Sequence, residues 1–184
     1  MNKVTLILGG ARSGKSSYAE KLAIESGLPV TYIATAQVYD DEFKQRVALH
    51  QQSRPAHWKT LEVHHHLANA LIEEAKPDTC VIVDCLTLWL AQCICPDCVP
   101  PENVKDTAKF WQDARKGFLD ILPKLKGTII LVSNEVGMGI VPLGAINRQF
   151  QDEQGRLNQS IAQQAHEVTF IAAGLPLKLK SHLN

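Results

Sequence analysis

The stretch Val4–Ser16, VTLILGGARSGKS, decides how the rest of the chain is read. Val4–Leu8 is a short aliphatic run of the kind that fills a strand buried on both faces. Gly9, Gly10, Ala11, Arg12, Ser13, Gly14, Lys15 and Ser16 then satisfy G-x-x-x-x-G-K-[ST] at every fixed position. Glycines let a backbone wrap around phosphate oxygens with its N–H groups turned inward. A helix starting near Lys15 adds the positive end of its dipole. Lys15 can then reach the β and γ phosphates, and the Ser16 hydroxyl can ligate Mg²⁺. A glycine-rich surface turn could match the same pattern. The apolar strand before it and the helix-favouring residues up to Ser26 select the phosphate-binding reading.

Outward from this loop, strand and helix patterns alternate. Gly27 and Pro29 stop the first helix. Val30–Ala34 reads as a second strand, and Asp40 and Asp41 cap a helix running to about Gln52, with Phe43 and Val47 on one face. The run Arg54–Trp58 breaks it. Helices are expected over His66–Ala75, Leu86–Ile94 and Val104–Leu122. Further strands are expected at Val81–Asp84, Thr128–Ser133 and Val168–Ala172. Ile146, Phe150, Leu157, Ile161 and Ala165 stripe one long helix, and Leu177–Lys180 reads as a tail that can add to a sheet edge. This alternation predicts an α/β fold with a mostly parallel sheet and helices on both faces, in one domain over residues 1–184.

Composition narrows the function classes. The 184 residues carry 19 Lys plus Arg against 19 Asp plus Glu, so the formal net charge is zero. A nucleic-acid coat would need a basic excess, whereas a single phosphate pocket needs only local charge. No apolar run approaches the roughly 20 residues that span a bilayer, and Met1–Leu8 is short for a signal peptide. Five cysteines in a chain that folds without staples point to reduced thiols in a cytoplasm.

Several side chains are candidates for chemistry. Asp84 ends the strand Val81–Val83, as a carboxylate would if it holds Mg²⁺ or its water opposite Ser16; a strand-end turn residue is the alternative. His50, with Arg54 four residues on, offers an imidazole that could attack an α-phosphorus and a guanidinium that could stabilise the phosphate oxygens. From spacing alone, a satisfied surface or core histidine on an amphipathic helix is the commoner reading. His64, His65 and His66 are consecutive and so point apart, at a helix start. Cys93, Cys95 and Cys98 crowd a proline-rich stretch, with Cys85 or a histidine available as a fourth zinc ligand, but no second paired knuckle is present. The N-K-x-D signature of guanine recognition is absent.

Taken together the motifs are more specific than the loop. GGARSGKS at 9–16, Tyr32-Ile33-Ala34-Thr35-Ala36, and Asp40-Asp41-Glu42 come first. Arg46-Val47-x-x-His50 leads to Arg54-Pro55-x-x-Trp58-x-Thr60-x-Glu62, and Val83–Trp89 follows. Ser133–Pro142 (SNEVGMGIVP) and Gly155–Gln159 complete the set. The chain resembles the bifunctional adenosylcobinamide kinase / adenosylcobinamide-phosphate guanylyltransferases of cobalamin biosynthesis, from Val4 to Lys180.

The resemblance implies a P-loop, RecA-like three-layer fold and a homotrimer. It implies phosphorylation of the aminopropanol hydroxyl of adenosylcobinamide by ATP or GTP. GMP transfer from GTP onto that phosphate would follow, releasing pyrophosphate and giving adenosylcobinamide-GDP. The family's guanylylated histidine falls on His50; Ala34, Thr35, Ala36, Arg54, Glu62 and Asp84 fall where relatives contact nucleotide. Some relatives carry two adjacent histidines where this chain has Leu49-His50, so only His50 can serve here. The Cys93–Cys98 stretch matches no part of the family pattern.

Two other readings keep parts of this evidence. A monofunctional P-loop kinase for another metabolite needs the loop and Asp84 but not His50. A nucleotide-dependent switch needs only the loop. Neither accounts for the His50–Glu62 segment.

Overall fold

The structure, a computed structural model, describes residues 2–36, 55–95 and 97–181. The helix expected from Asp40 to Gln52 lies outside them, as do His50 and Arg54. Among the described residues seven strands form one sheet: β1 (Asn2–Gly9), β2 (Val30–Ala34), β3 (Lys59–Glu62), β4 (Cys80–Asp84), β5 (Gly127–Asn134), β6 (Glu167–Ala172) and β7 (Leu175–Lys180). Their order is β3-β2-β4-β5-β1-β6-β7. All neighbouring pairs are parallel except β6–β7, which is an antiparallel hairpin. The helices are α1 (Lys15–Glu25), α2 (Leu67–Glu74), α3 (Leu86–Ile94), α4 (Thr107–Ile121) and α5 (Ala145–Gln164).

Strand alternation sorts side chains into two cores, as a sheet covered on both faces requires. On one face Ile7, Tyr32, Ala34, Ile82, Ile130 and Val132 pack against Ala19 and Ala23 of α1. On the other, Leu6, Val83, Leu131 and their neighbours pack against α2 to α5. There Trp89 meets Trp111 edge-on with ring centroids 5.2 Å apart, and Phe118 at the same distance. The expected three-layer α/β architecture is therefore present.

One strand was not expected, and one expected helix starts later. The segment Lys59–Glu62 pairs with β2 as an edge strand, although its residues are largely exposed and carry no alternating apolar signal. The helix expected over Val104–Leu122 is instead a 3₁₀ turn at Pro101–Asp106 followed by α4, whose N-terminus is capped by the Asp106 side chain accepting from the Lys109 amide at 2.8 Å. Prolines upstream and the Asp106 cap set that start. The tail expected to extend the sheet does so, as all of β7.

Candidate active site

In a parallel α/β sheet, ligands bind outside the carboxyl ends of the strands. Here β1, β2, β4 and β5 end on Gly9, Ala34, Asp84 and Asn134. Continuing the alternation from Ile7, Tyr32, Ile82 and Val132 puts all four on the α1 face. The register confirms their closeness, with Gly9 opposite Asn134 and Ala34 opposite Asp84.

The glycine loop leaves this row and turns into α1. Gly9 has φ +154°, and a Cβ there would run into the Ile171 carbonyl and lie 2.7 Å from Ser13 Oγ. No other residue fits that close passage between β1 and β6. Arg12 adopts φ +55° and Gly14 φ +98°, which gives the loop its tight curl. The Ser13 carbonyl accepts from the Gly174 amide at 2.8 Å, tying the loop to the β6–β7 turn. Ala11 and Arg12 are exposed, Gly10 and Ser13 half-buried.

Lys15, the first residue of α1, is buried, and its Nζ donates to the Gly10 carbonyl at 2.5 Å. Burial lowers its pKa from the ordinary lysine value, and the Asp84 charge opposes that shift. An ammonium held over the loop with few water partners is poised to prefer phosphate oxygens. Ser16 follows, half-buried.

Asp84 is oriented by Tyr32, whose phenol donates to Oδ2 at 2.6 Å. Thr35, fully buried, has its hydroxyl donating to the Cys85 carbonyl at 2.6 Å and accepting from the Cys85 amide at 2.9 Å. Its own amide donates to the Asp84 carbonyl at 3.2 Å, and Gln92 Nε2 donates to its carbonyl. Thr35 therefore locks the end of β2 to the end of β4, and its side chain is fully engaged in doing so. Thr35→Val keeps the shape but strands two buried backbone groups. It should cost about 2–4 kcal/mol in denaturant unfolding, with Thr35→Ser restoring most of it.

Ala36 is half-buried just beyond this lock, and Glu62 is exposed at the tip of β3, opposite Ala34. Among the described residues of the expected set, the loop, Lys15, Ser16, Ala34–Ala36, Glu62 and Asp84 thus share the same edge of the sheet.

Three polar groups at this edge lie in motifs quoted above but have no role of their own there. Tyr32 could have been found by its place two residues before Ala34 on the same strand face. Thr87 accepts from the Asn134 amide at 2.8 Å, and Asn158 Nδ2 donates to the Asn134 carbonyl at 3.1 Å. Nothing local in the sequence announces contacts across such separations.

Other candidates lie elsewhere. His65 approaches the Cys98 carbonyl at 2.9 Å and accepts the Trp89 indole N–H on its own carbonyl at 3.2 Å. It lines a 210 Å³ pocket with Phe110 and Asp113, on the face away from α1. Cys93 is buried within α3, where burial pushes its thiol up to about 12. Cys85, beside Asp84, is likewise pushed up to about 12 by burial, so it is no nucleophile at neutral pH. Among the described residues no group of three or more His, Cys, Asp or Glu side chains could hold a metal ion.

Fold and loop together define a P-loop nucleotide-binding protein with the acidic tip of a second strand facing the loop. The comparison with protein families is more specific. Residues 5–179 match the family described as cobinamide kinase / cobinamide phosphate guanyltransferase, CobU. The bifunctional adenosylcobalamin biosynthesis protein CobP of Pseudomonas aeruginosa is 51% identical over 175 residues, covering 95% of this chain and 96% of the relative. The CobU proteins of Escherichia coli and Salmonella typhimurium are each 37% identical, over 95% of this chain and 98% of their own length. The chain belongs to the cobinamide kinase / cobinamide phosphate guanyltransferase family, and it is an enzyme of that bifunctional kind.

Proposed function

We propose that this chain carries both half-reactions through one phosphate site, with a histidyl-GMP on His50 in the second. In the first, the γ-phosphoryl group of ATP or GTP passes to the hydroxyl of adenosylcobinamide. In the second, neutral His50 attacks the α-phosphorus of GTP and pyrophosphate leaves. The corrinoid phosphate then displaces His50, giving adenosylcobinamide-GDP. The observation that carries the reading is the buried Lys15 ammonium set over a curled glycine loop, at the same sheet edge as Asp84. Lys15 and the loop amides would neutralise the departing phosphates in both steps. Arg54 and Glu62 follow His50 closely in sequence and are proposed to hold the nucleotide with Ala34, Thr35 and Ala36.

Mg²⁺ fits this donor set. Ser16 offers a hydroxyl and Asp84 a carboxylate with one oxygen held by Tyr32, and Mg²⁺ characteristically takes one or two protein oxygens while substrate phosphates and water supply the rest. Bound there, the ion would neutralise charge on the phosphates. Asp84 serves as its ligand or as the base for the acceptor hydroxyl.

The corrinoid is proposed to meet the segment after β5. Met138, Ile140, Val141 and Leu143 are 66–98% exposed there, directly beyond Glu135, whose amide donates to the Gly9 carbonyl at 3.0 Å. An apolar surface of that kind suits a large macrocycle. A homotrimer is supported by family membership and by Leu175, Leu177 and Leu179, which are 58–72% exposed along the β7 edge. A cytoplasmic setting is supported by five free cysteines. Among the described residues no helix is long and apolar enough to cross a membrane. The balanced charge supports no nucleic-acid role.

The test uses the purified protein with adenosylcobinamide and nucleotide labelled at either the α- or the γ-phosphate. The expected result is γ-label on the corrinoid, then α-label on the protein in an acid-labile, base-stable bond that is chased into corrinoid product. Transfer of γ-label without any α-label on protein or product would leave a kinase alone. Tight nucleotide binding with neither transfer would leave a switch.

A further inference from the structure

Asn134 occupies a position in the site that no local role explains. At strand ends, asparagine side chains usually bond nearby backbone and close a turn. Here the backbone of Asn134 is held by other residues: Thr87 Oγ1 accepts its N–H at 2.8 Å and Asn158 Nδ2 donates to its carbonyl at 3.1 Å. Asn158 is fixed in turn, since its Oδ1 accepts from Ser133 Oγ at 2.7 Å and Gln154 Nε2 at 3.1 Å. This polar network is buried, with Ser133 and Gln154 fully inaccessible and Gln154 Oε1 without a partner among the described residues. Buried polar networks of this kind are costly unless satisfied and they rigidify what they hold. What this one holds is the tip of β5.

The Asn134 side chain is not part of the network. Ser133 points to α5, so Asn134 points to the α1 face, the face of Gly9 and Asp84. Its amide makes no hydrogen bond with any described residue, and it is half-buried. In register it sits opposite Gly9, the residue that opens the phosphate loop, and two positions beyond Val132, the partner of Asp84. A neutral amide donor on a rigid backbone, set between a phosphate loop and a carboxylate, is suited to an anionic group that must not be repelled from Asp84.

We propose that Asn134 is a substrate-contacting residue of the kinase step, donating from Nδ2 to the γ-phosphoryl group during transfer. The proposal rests on the kinase reading above. In that step the acceptor hydroxyl oxygen forms a bond to the γ-phosphorus while the bond to the β–γ bridging oxygen breaks. The electron pair leaves with the nucleoside diphosphate, and the hydroxyl proton leaves to Asp84 or to water. Charge on the equatorial oxygens is where a fixed donor acts. A carboxylate at this position would instead repel the phosphoryl group.

The experiment compares wild type, Asn134→Ala and Asn134→Asp in γ-phosphate transfer to adenosylcobinamide, with thermal unfolding alongside. Loss of one such donor characteristically costs about 10²–10³-fold in kcat. Asn134→Ala is expected to lose about 100-fold in kcat, with KM for ATP within about threefold and an unchanged unfolding temperature, because the side chain bonds no described residue of the protein. Asn134→Asp should be slower still, and α-label on His50 should survive in both. Kinase kcat within about threefold of wild type in Asn134→Ala would overturn the proposal. So would a loss matched by an equal fall in thermal stability in both variants, which would make Asn134 a structural residue. Absence of phosphoryl transfer in the wild type itself would remove the kinase reading, and Asn134 with it, and is told apart because wild type is assayed first.

Discussion

Lys15→Met should nearly abolish both half-reactions while leaving the fold intact. Methionine keeps the length and apolar stem of the side chain, so the packing of α1 against the sheet survives. What disappears is the ammonium that the loop holds over the Gly10 carbonyl. In the proposed mechanism both half-reactions need it, because diphosphate leaves in one and pyrophosphate in the other, and each departs with added negative charge. A fixed cation in a poorly hydrated site is worth more than a neutral donor, whose loss already costs about 10²–10³-fold. The expectation is therefore a loss of at least about 10³-fold in kcat/KM for both reactions.

Stability should move the other way. Burial lowers the Lys15 pKa, so the folded protein holds that proton less tightly than the unfolded chain does. The charged lysine thus costs stability at and below its folded pKa, and the cost is relieved only as pH rises from there towards the unfolded value. Removing the charge lifts that cost, so the variant should unfold no earlier than wild type at neutral pH. Retention of either activity within about tenfold of wild type, or a variant that unfolds well before it, would remove Lys15 from the shared chemistry.

The loop was legible because everything it needs is local: an apolar strand, glycines at fixed offsets and a helix start. Asp84 was legible for the same reason, as the polar end of an apolar run. β3 was not, because Lys59, Thr60 and Glu62 are exposed and the strand exists only through its pairing with β2. The long helix was read from its stripe, yet its first residue in that stripe, Ile146, is 45% exposed while Leu157 and Ile161 are fully buried. Periodicity finds a helix but not where its core contact begins. The lock of Thr35 onto Cys85, and of Asn158 onto the tip of β5, joins residues far apart in sequence. Which polar residue meets which is decided by strand order, and strand order is not written in any one segment.

His50→Ala should separate the two activities, since only the second has a use for the imidazole. Phosphoryl transfer to a hydroxyl needs positioning and charge stabilisation rather than a protein nucleophile, so the kinase rate of the variant should stay within about threefold of wild type. Guanylyl transfer would lose the covalent relay proposed for His50, and neither the residue before it in sequence nor the thiol beside Asp84 offers a replacement. Leu49 is apolar, and the thiol of Cys85 is pushed up to about 12 by burial. The α-label should vanish from the denatured variant, and corrinoid product should fall to the level of a blank. In wild type, attack requires a neutral imidazole, so guanylylation should decline as pH falls through the histidine range, about 6.5 for an unperturbed group. The kinase step need not follow the same curve. A variant that still carries acid-labile α-label would place the covalent bond on another residue. A wild-type guanylylation rate that is flat into strongly acidic solution would argue that no imidazole attacks the α-phosphorus. If label and pH dependence disappear together while phosphorylation persists, the histidine serves only the second reaction.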